Sequence, residues 1–310
     1  MTSRVAAIDC GTNSIRLLIA DVDQQAGTLT DVVREMRIVR LGEGVDQTKR
    51  LSDAALERTF AACDEYAALI AEHEVEKTRF VATSASRDAT NAADFVAGVV
   101  ERIGIEPEVV SGTEEANLSF RGAVSAVPAD APKPYLVIDI GGGSTEFVLG
   151  SDSVTHAVSV DMGCVRMTER CLTSDPPTYD ETQAAIHDID AGIAEARHSV
   201  PIDQMATLVG LAGSVTTVAA IALGLTEYNP DAIHGARLSM SDVHRVSQEL
   251  LQATRAERAA ISAMHPGRVD VIGAGSLVLD RIMLAAGASH VLVSEHDILD
   301  GIAFSAADRV

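Results

Sequence analysis

Asp9, Gly11, Asn13 and Ser14 stand in the stretch AIDCGTNSIRLLI, and Asp139, Gly141, Gly142, Gly143, Ser144 and Glu146 stand in VIDIGGGSTEFVL. Each stretch is an apolar run that ends on an aspartate, breaks at glycine and resumes, which reads as strand, turn and returning strand. Three glycines in a β pattern weaken a strand, and the usual reason to keep them is close approach of a ligand to the main chain. Successive N–H groups in such a turn form a concave nest for phosphate oxygens. A carboxylate at the strand end does not ligate phosphate, but it holds a divalent cation that does. Asp9 and Asp139 are therefore candidate metal ligands, and Glu146, two residues past the turn, is placed to hold the same cation. One such turn is weak testimony. Two, matching at Ile8 and Ile138, Asp9 and Asp139, Gly11 and Gly141, Ser14 and Ser144, indicate a duplicated unit whose hairpins are expected to face each other.

Those turns need elements to hold them. The first forty residues read as three strands, RVAAIDC, IRLLIADVD and TLTDVVREMRIVRL, broken at GTNS and QQAG. A helix is expected after Ser52 as N-cap. A strand (RFVATS), a helix (NAADFVAGVVERIG), a strand (EPEVVS) and a helix (EEANLSFRGAVSAV) follow. The Pro- and Ala-rich VPADAPKP, Val127 to Pro134, reads as a linker. Beyond it the pattern restarts with YLVIDI, STEFVLG and SVTHAVSVDMG, and later TLVGLAG and HVLVS look like parallel strands leading into helices. The order β-β-β-α-β-α-β-α predicts a mixed α/β sheet with helices on its faces. The expected domains are 1–127 and 128–310, with a C-terminal helix at about 297–310 packing back on the first.

Composition narrows the function classes. A length of 310 residues suits two domains, each with its own core. A net charge of −21 argues against a general nucleic-acid binder, and no Trp with only 4 Tyr and 6 Phe leaves little for base stacking. Local arginines, backbone N–H groups and a metal ion still outweigh distant, screened charges at an anion site. No apolar run is long enough to span a bilayer, and MTSRVAAIDC enters a strand at once. No membrane partner is expected, and the cytoplasm is the default. Cys10, Cys63, Cys164 and Cys171 form no CxxC pair and read as structural thiols in a reducing compartment, with Cys164 and Cys171 on one helix face. His156, His234, His265 and His296 show no metal spacing. Taken alone, Glu114 and Glu115 read as favourable charge at a helix N-terminus, and Arg87 as a residue opening a helix, slightly unfavourable against the dipole.

The paired DxGTNS and DIGGGSTE turns resemble the phosphate-binding loops of the actin, hexokinase and heat-shock ATPase superfamily. More narrowly, the chain resembles the exopolyphosphatase and guanosine pentaphosphate phosphohydrolase family. The residues that carry the match are AIDCGTNSIRLLI, ATSASRDATNAADF, VVSGTEEANLSFRGA, VIDIGGGSTEFVLG, DMGCVRMTER, GLAGSVTTVAAI, MHPGRVDVIGAG and VSEHDILDGI, in the family's order. The resemblance implies two duplicated ribonuclease-H-like, actin-like domains with a cleft between them. It implies that Glu115 activates the attacking water and that Arg87 grips the phosphate under attack. Asp139 and Glu146, with Asp9 of the first turn, match acids around a magnesium or other divalent ion such as manganese. Asn13, Ser14, Gly141, Gly142, Gly143 and Ser144 match the loops that bind substrate, and Gly213, Ser214 and Thr216 match a further loop where a helix start directs N–H groups at an anion. Arg16 and Arg268 match two arginines bordering the family's cleft, either as phosphate contacts or as ordinary ion pairs. Long family members carry a further helical domain that this sequence lacks, which puts processive degradation of long polymer in doubt. In VSEHDILDGI, His296 and Asp297 stand where basic residues are common and make a poorer anion contact.

The expected activity is an exopolyphosphatase, a phosphoanhydride hydrolase that releases orthophosphate from the end of inorganic polyphosphate. Guanosine pentaphosphate hydrolysis uses the same core and is the first alternative. An actin-like kinase or ATP-binding module, and a non-catalytic polyphosphate or alarmone sensor, are the others. A homodimer is possible for such an enzyme.

Overall fold

The computed structural model describes residues 2–309. The chain divides into two compact units, Met1–Ser125 with Asp297–Val310, and Ala126–His296. Met1 and Val310, the outer bounds of the expected domains, lie outside the described residues.

In the first unit, β1 (Thr2–Cys10), β2 (Ser14–Asp23) and β3 (Thr28–Ile38) form an antiparallel meander. A short α1 (Val45–Thr48) leads to α2 (Asp53–Glu72), and Ser52 caps it as expected by accepting from the Ala55 N–H. β4 (Lys77–Ala82) runs parallel to β1 and is followed by α3 (Ser84–Asp88) and α4 (Ala92–Ile103). β5 (Glu108–Val109) pairs with β4 for two residues only, shorter than EPEVVS predicted. Pro107 has no N–H to extend that ladder. α5 (Gly112–Val124) closes the run, capped by Ser111.

The second unit repeats the plan. β6 (Tyr135–Ile140), β7 (Thr145–Gly150) and β8 (Val154–Val160) form the meander, followed by α6 (Cys164–Cys171) and α7 (Tyr179–Arg197). β9 (Thr207–Leu211) lies parallel to β6 and runs straight into α8 (Ala212–Ala222). Then come α9 (Pro230–Ile233), β10 (Arg237–Ser239), α10 (Met240–Gln252), α11 (Arg255–Ala259), α12 (Ile272–Ala286) and β11 (His290–Val293). The last helix, α13 (Ile298–Asp308), belongs to the first unit.

Among the described residues the sheets have the orders β3-β2-β1-β4-β5 and β10-β11-β9-β6-β7-β8. Read from β8, the second gives β8-β7-β6-β9-β11, the first order over again with β10 added at its far edge. The duplicated mixed α/β fold expected from the paired turns is therefore observed. β10 was not anticipated, because three residues are too few to show a period.

Both faces of the central strands are buried, as parallel pairing between helix layers requires. Ala6, Ile8 and Cys10 pack with α2 and α4, whereas Val5, Ala7, Leu18 and Ala20 pack with Ile302 and Ala303 of α13. Each fully buried Leu or Ile stabilises by about 1.5–3 kcal/mol. A slip of one residue would send every side chain to the wrong face, so the register that places Asp9 is strongly fixed. α5 and α13 touch backbone to backbone: a Cβ on Gly122 would overlap the Asp297 carbonyl, and one on Gly301 the Leu118 carbonyl.

Candidate active site

In open α/β sheets, ligands bind outside the carboxyl ends of the parallel strands. Those ends are set by register here. Asp9 and Cys10 of β1 pair with Val81 and Ala82 of β4, which pair in turn with Glu108 and Val109 of β5. One edge of the first sheet therefore carries Asp9, the Gly11–Asn13 turn, the start of α3 and the start of α5. In the second unit Asp139 of β6 pairs with Leu211 of β9, and Gly210 with Val293 of β11. That edge carries Asp139, the glycine turn and the start of α8.

At the first edge, Arg87 and Glu115 meet. The Arg87 Nη1 donates to Glu115 Oε2 at 3.1 Å and to the Val110 carbonyl at 3.0 Å. Glu115 is 7% exposed although it sits in the first turn of α5. Its neighbour Glu114 is instead half-exposed and takes Arg79 Nη2 at 2.6 Å. Arg79 also holds Glu108, and Arg309 and Arg79 together bring the Glu108 carboxyl down to about 2. Arg87 lies in the last turn of α3, not at a helix opening, so the expected clash with a helix dipole does not exist. Its position is favourable on that count.

Asp9 and Arg16 face each other in the β1–β2 register, and Arg16 Nη2 donates to Asp9 Oδ2 at 2.7 Å. Arg16 also pairs with Asp297, which caps α13. Burial penalises the Arg16 charge, but Asp297 and Asp9 more than offset this and raise its pKa; burial also lifts the Asp9 carboxyl despite Arg16. Arg16 and Asp9 thus form an ion-pair cluster. Of the two readings open for Arg16, phosphate contact or ion pair, the structure displays the ion pair, and the guanidinium on Asp9 takes an oxygen that a metal would use. Asp297, left out of the expected site, is the second arm of that cluster.

The two turns share a geometry. Gly11 N–H donates to Ser14 O at 2.9 Å, and Gly141 N–H to Ser144 O at 3.0 Å. In the second turn the carbonyls are all drawn to α6. Gly141 O accepts from Cys164 N–H and Gly142 O from Val165 N–H, each at 2.9 Å, and Gly143 O accepts from Arg166 Nε at 2.7 Å. In a planar trans peptide the N–H points opposite to the C=O. The N–H groups of Gly142, Gly143 and Ser144 are therefore aimed away from α6, as a nest requires. Gly163 makes this approach feasible, since a Cβ there would overlap the Gly142 carbonyl. In the first turn Thr12 O accepts from Gly42 N–H at 2.8 Å and Asn13 O from Arg40 N–H at 2.9 Å, which turns the Asn13 and Ser14 N–H groups the other way. Thr12 Oγ1 lies 2.9 Å from Ser84 Oγ, a contact the sequence did not suggest.

Asp139 and Glu146 are directly opposite on β6 and β7, and both are buried. The equivalent pair in the first unit is Asp9 and Arg16, so one position separates an acid–base pair from an acid–acid pair. Like charges directly opposite on a sheet are unfavourable, which a divalent cation relieves. The Ser159 hydroxyl donates to Glu146 Oε1 at 2.7 Å and fixes that carboxylate. Among the described residues no group of three His, Cys, Asp or Glu could hold a metal, so these two acids would need water and substrate oxygens as further ligands.

At the further loop, Ala212 takes φ 65° and α8 starts at Ala212, near Ser214 as expected. A positive φ on a non-glycine residue is uncommon and gathers at ligand-binding turns. Gly213 lies under the Arg268 guanidinium, whose Nη1 donates to Thr217 Oγ1 at 3.0 Å. A helix N-terminus favours an anion, and a guanidinium over it adds to that preference. Ser214 is buried against Gly275, and Thr216 Oγ1 lies 2.8 Å from the Tyr228 hydroxyl. All four cysteines are free among the described residues, and burial pushes the Cys164 thiol up. No helix among the described residues is long and apolar enough to cross a membrane.

A mixed α/β fold is used twice, with pinned turns and buried acids at the carboxyl edge of each sheet. The profile of the Ppx/GppA phosphatase family matches residues 18–310, and the chain belongs to that family. It is thereby a phosphatase-family hydrolase. Exopolyphosphatase 2 of Mycobacterium tuberculosis is 49% identical over 98% of this chain and 99% of its own length. A solved exopolyphosphatase-like protein is 47% identical with a TM-score of 0.94, covering 98% of this chain and 97% of that one. An exopolyphosphatase from Cytophaga hutchinsonii is 26% identical with a TM-score of 0.91, covering 99% and 98%.

Proposed function

We propose that the chain is an exopolyphosphatase, which removes the terminal phosphate of linear inorganic polyphosphate as orthophosphate. The observation that carries this reading is the buried Glu115 carboxylate held at 3.1 Å by Arg87. Hydrolysis of a phosphoanhydride needs a water placed in line and a carboxylate to take its proton. Glu115 takes that proton, and Arg87 orients the phosphoryl group through its remaining N–H donors. The N–H groups of Gly142, Gly143 and Ser144, and those at Gly213 and Ser214, hold non-bridging oxygens, with Arg268 as a counter-charge. Asp139 and Glu146 hold a magnesium or similar divalent ion, and Asp9 is left to Arg16. When bound, the ion neutralises charge on the phosphate oxygens. The 49% identity to a protein named Exopolyphosphatase 2 supports the substrate class. Four free thiols fit a reducing cytoplasm.

The test is orthophosphate release from tripolyphosphate, long-chain polyphosphate, guanosine pentaphosphate and ATP, each with and without a divalent ion. The expected outcome is divalent-dependent release from polyphosphate. Turnover of guanosine pentaphosphate or ATP with no release from any polyphosphate would overturn it.

A further inference from the structure

Arg166 has no part in the reaction as set out above, yet it is 6% exposed, on a helix whose neighbouring residues Cys164, Val165 and Met167 are all buried. A guanidinium in such surroundings is costly unless its donors are used. Its Nε donates to the Gly143 carbonyl at 2.7 Å, and its backbone N–H donates to the Gly142 carbonyl at 3.1 Å. Its Nη2 lies 3.6 Å from the exposed Asp161 carboxylate, too far for a strong pair. The contact to the loop peptide is short and charge-assisted.

We propose that Arg166 is a positioning residue that fixes the Gly143–Ser144 peptide and strengthens its N–H as a donor to phosphate. The proposal rests on the reading of the glycine turn as a phosphate site. The other two loop carbonyls are held by backbone N–H groups of α6, which any sequence supplies. The third, that of Gly143, is held by a side chain. Without that bond the Gly143–Ser144 peptide is free to rotate about the glycine, and its N–H loses its aim. A cation on the carbonyl also polarises the peptide, so the N–H at its other end binds an oxygen more strongly. Gly163 lets α6 come close enough for all three bonds, as its absent Cβ shows.

The experiment compares the full-length wild type with Arg166→Lys and Arg166→Gln in steady-state hydrolysis of tripolyphosphate, with the melting transition as fold control. The expected result is a KM raised roughly 10- to 100-fold, the value of one charge-assisted hydrogen bond, with kcat changed much less. An unchanged KM, or a loss confined to kcat, overturns the proposal. Should both variants fail to fold, the wild type itself decides, by NMR of its amide and Arg166 Nε–H signals during titration with tripolyphosphate. The Ser144 amide and the Arg166 Nε–H are expected to shift together, since they share one peptide. A Ser144 shift with a static Arg166 signal sinks the positioning role. Static amides at Gly142, Gly143 and Ser144 sink the phosphate reading of the turn instead, and the proposal with it.

Discussion

Glu114 and Glu115 are adjacent on the first turn of α5, yet they meet different surroundings. The half-exposed Glu114 joins the buried Arg79, which also holds Glu108, whereas the buried Glu115 meets Arg87. A 100° step around the helix is enough to separate the two fates. Glu115→Gln is expected to lower kcat by roughly 10²–10⁴-fold with KM little changed, since a proton acceptor is lost and shape is kept. Glu114→Gln should leave kcat within about twofold, since Arg79 keeps Glu108 as its partner and a glutamine of the same shape can still accept from it. Orthophosphate release under saturating tripolyphosphate measures both, and the reverse ranking would remove Glu115 from its role. At this scale the sequence was informative where a motif names a residue, as SGTEEA does for Glu115. It was silent on Arg166, although that arginine stands in the quoted DMGCVRMTER. A buried arginine whose partner is a main-chain oxygen leaves no mark in composition or spacing. The Arg16–Asp297 pair was out of reach for another reason: it joins positions at opposite ends of the chain.

At the scale of elements, Glu115 is placed by the crossing of α5 over α13. Gly122 and Gly301 let those backbones touch. The Leu118 carbonyl that a Cβ on Gly301 would strike is backbone and has no rotamer to escape into. Gly301→Ala is therefore expected to destabilise by about 1–3 kcal/mol, the usual range for overpacking. It should also reduce kcat by more than the stability loss explains, because α5 carries Glu115. Urea titration gives the first number, as a lower midpoint at unchanged slope, and phosphate release gives the second. An unchanged midpoint would mean that the helices do not meet at Gly301. Most elements were legible from periodicity: the meander strands, the Ser52 cap and the helix after it all fall as expected. The failures were short pieces. Neither the two residues of β5 nor the three of β10 show a period, and Pro107, just before β5, has no N–H to start it earlier. The helix geometry at Arg87 failed likewise, because α3 is too short to announce itself before α4.

For the whole molecule, a net charge of −21 opposes a polyanionic substrate at long range. The loop N–H groups and arginines act at contact distance. Screening acts first on the long-range part, since the Debye length falls from about 30 Å at 0.01 M to about 10 Å at 0.1 M. The association rate of tripolyphosphate is expected to rise with monovalent salt over that range, in stopped-flow binding to the Glu115→Gln variant. A monotonic fall would show that the local positive sites govern approach as well as capture. The duplication was legible from two turns of a dozen residues, because a repeated strand–glycine–strand pattern survives where side chains diverge. The return of α13 to the first unit has a consequence for the chain as it is made. Val5, Ala7, Leu18, Ala20 and Val22 are covered by Ile302, Ala303 and Phe304, which are made only after the whole of the second unit. At about 5–20 residues per second, that apolar sheet face waits tens of seconds for its lid, while everything needed to complete the second unit is already out. The half that was translated first is thus the half that finishes last, and it is the one a chaperone would be called on to guard.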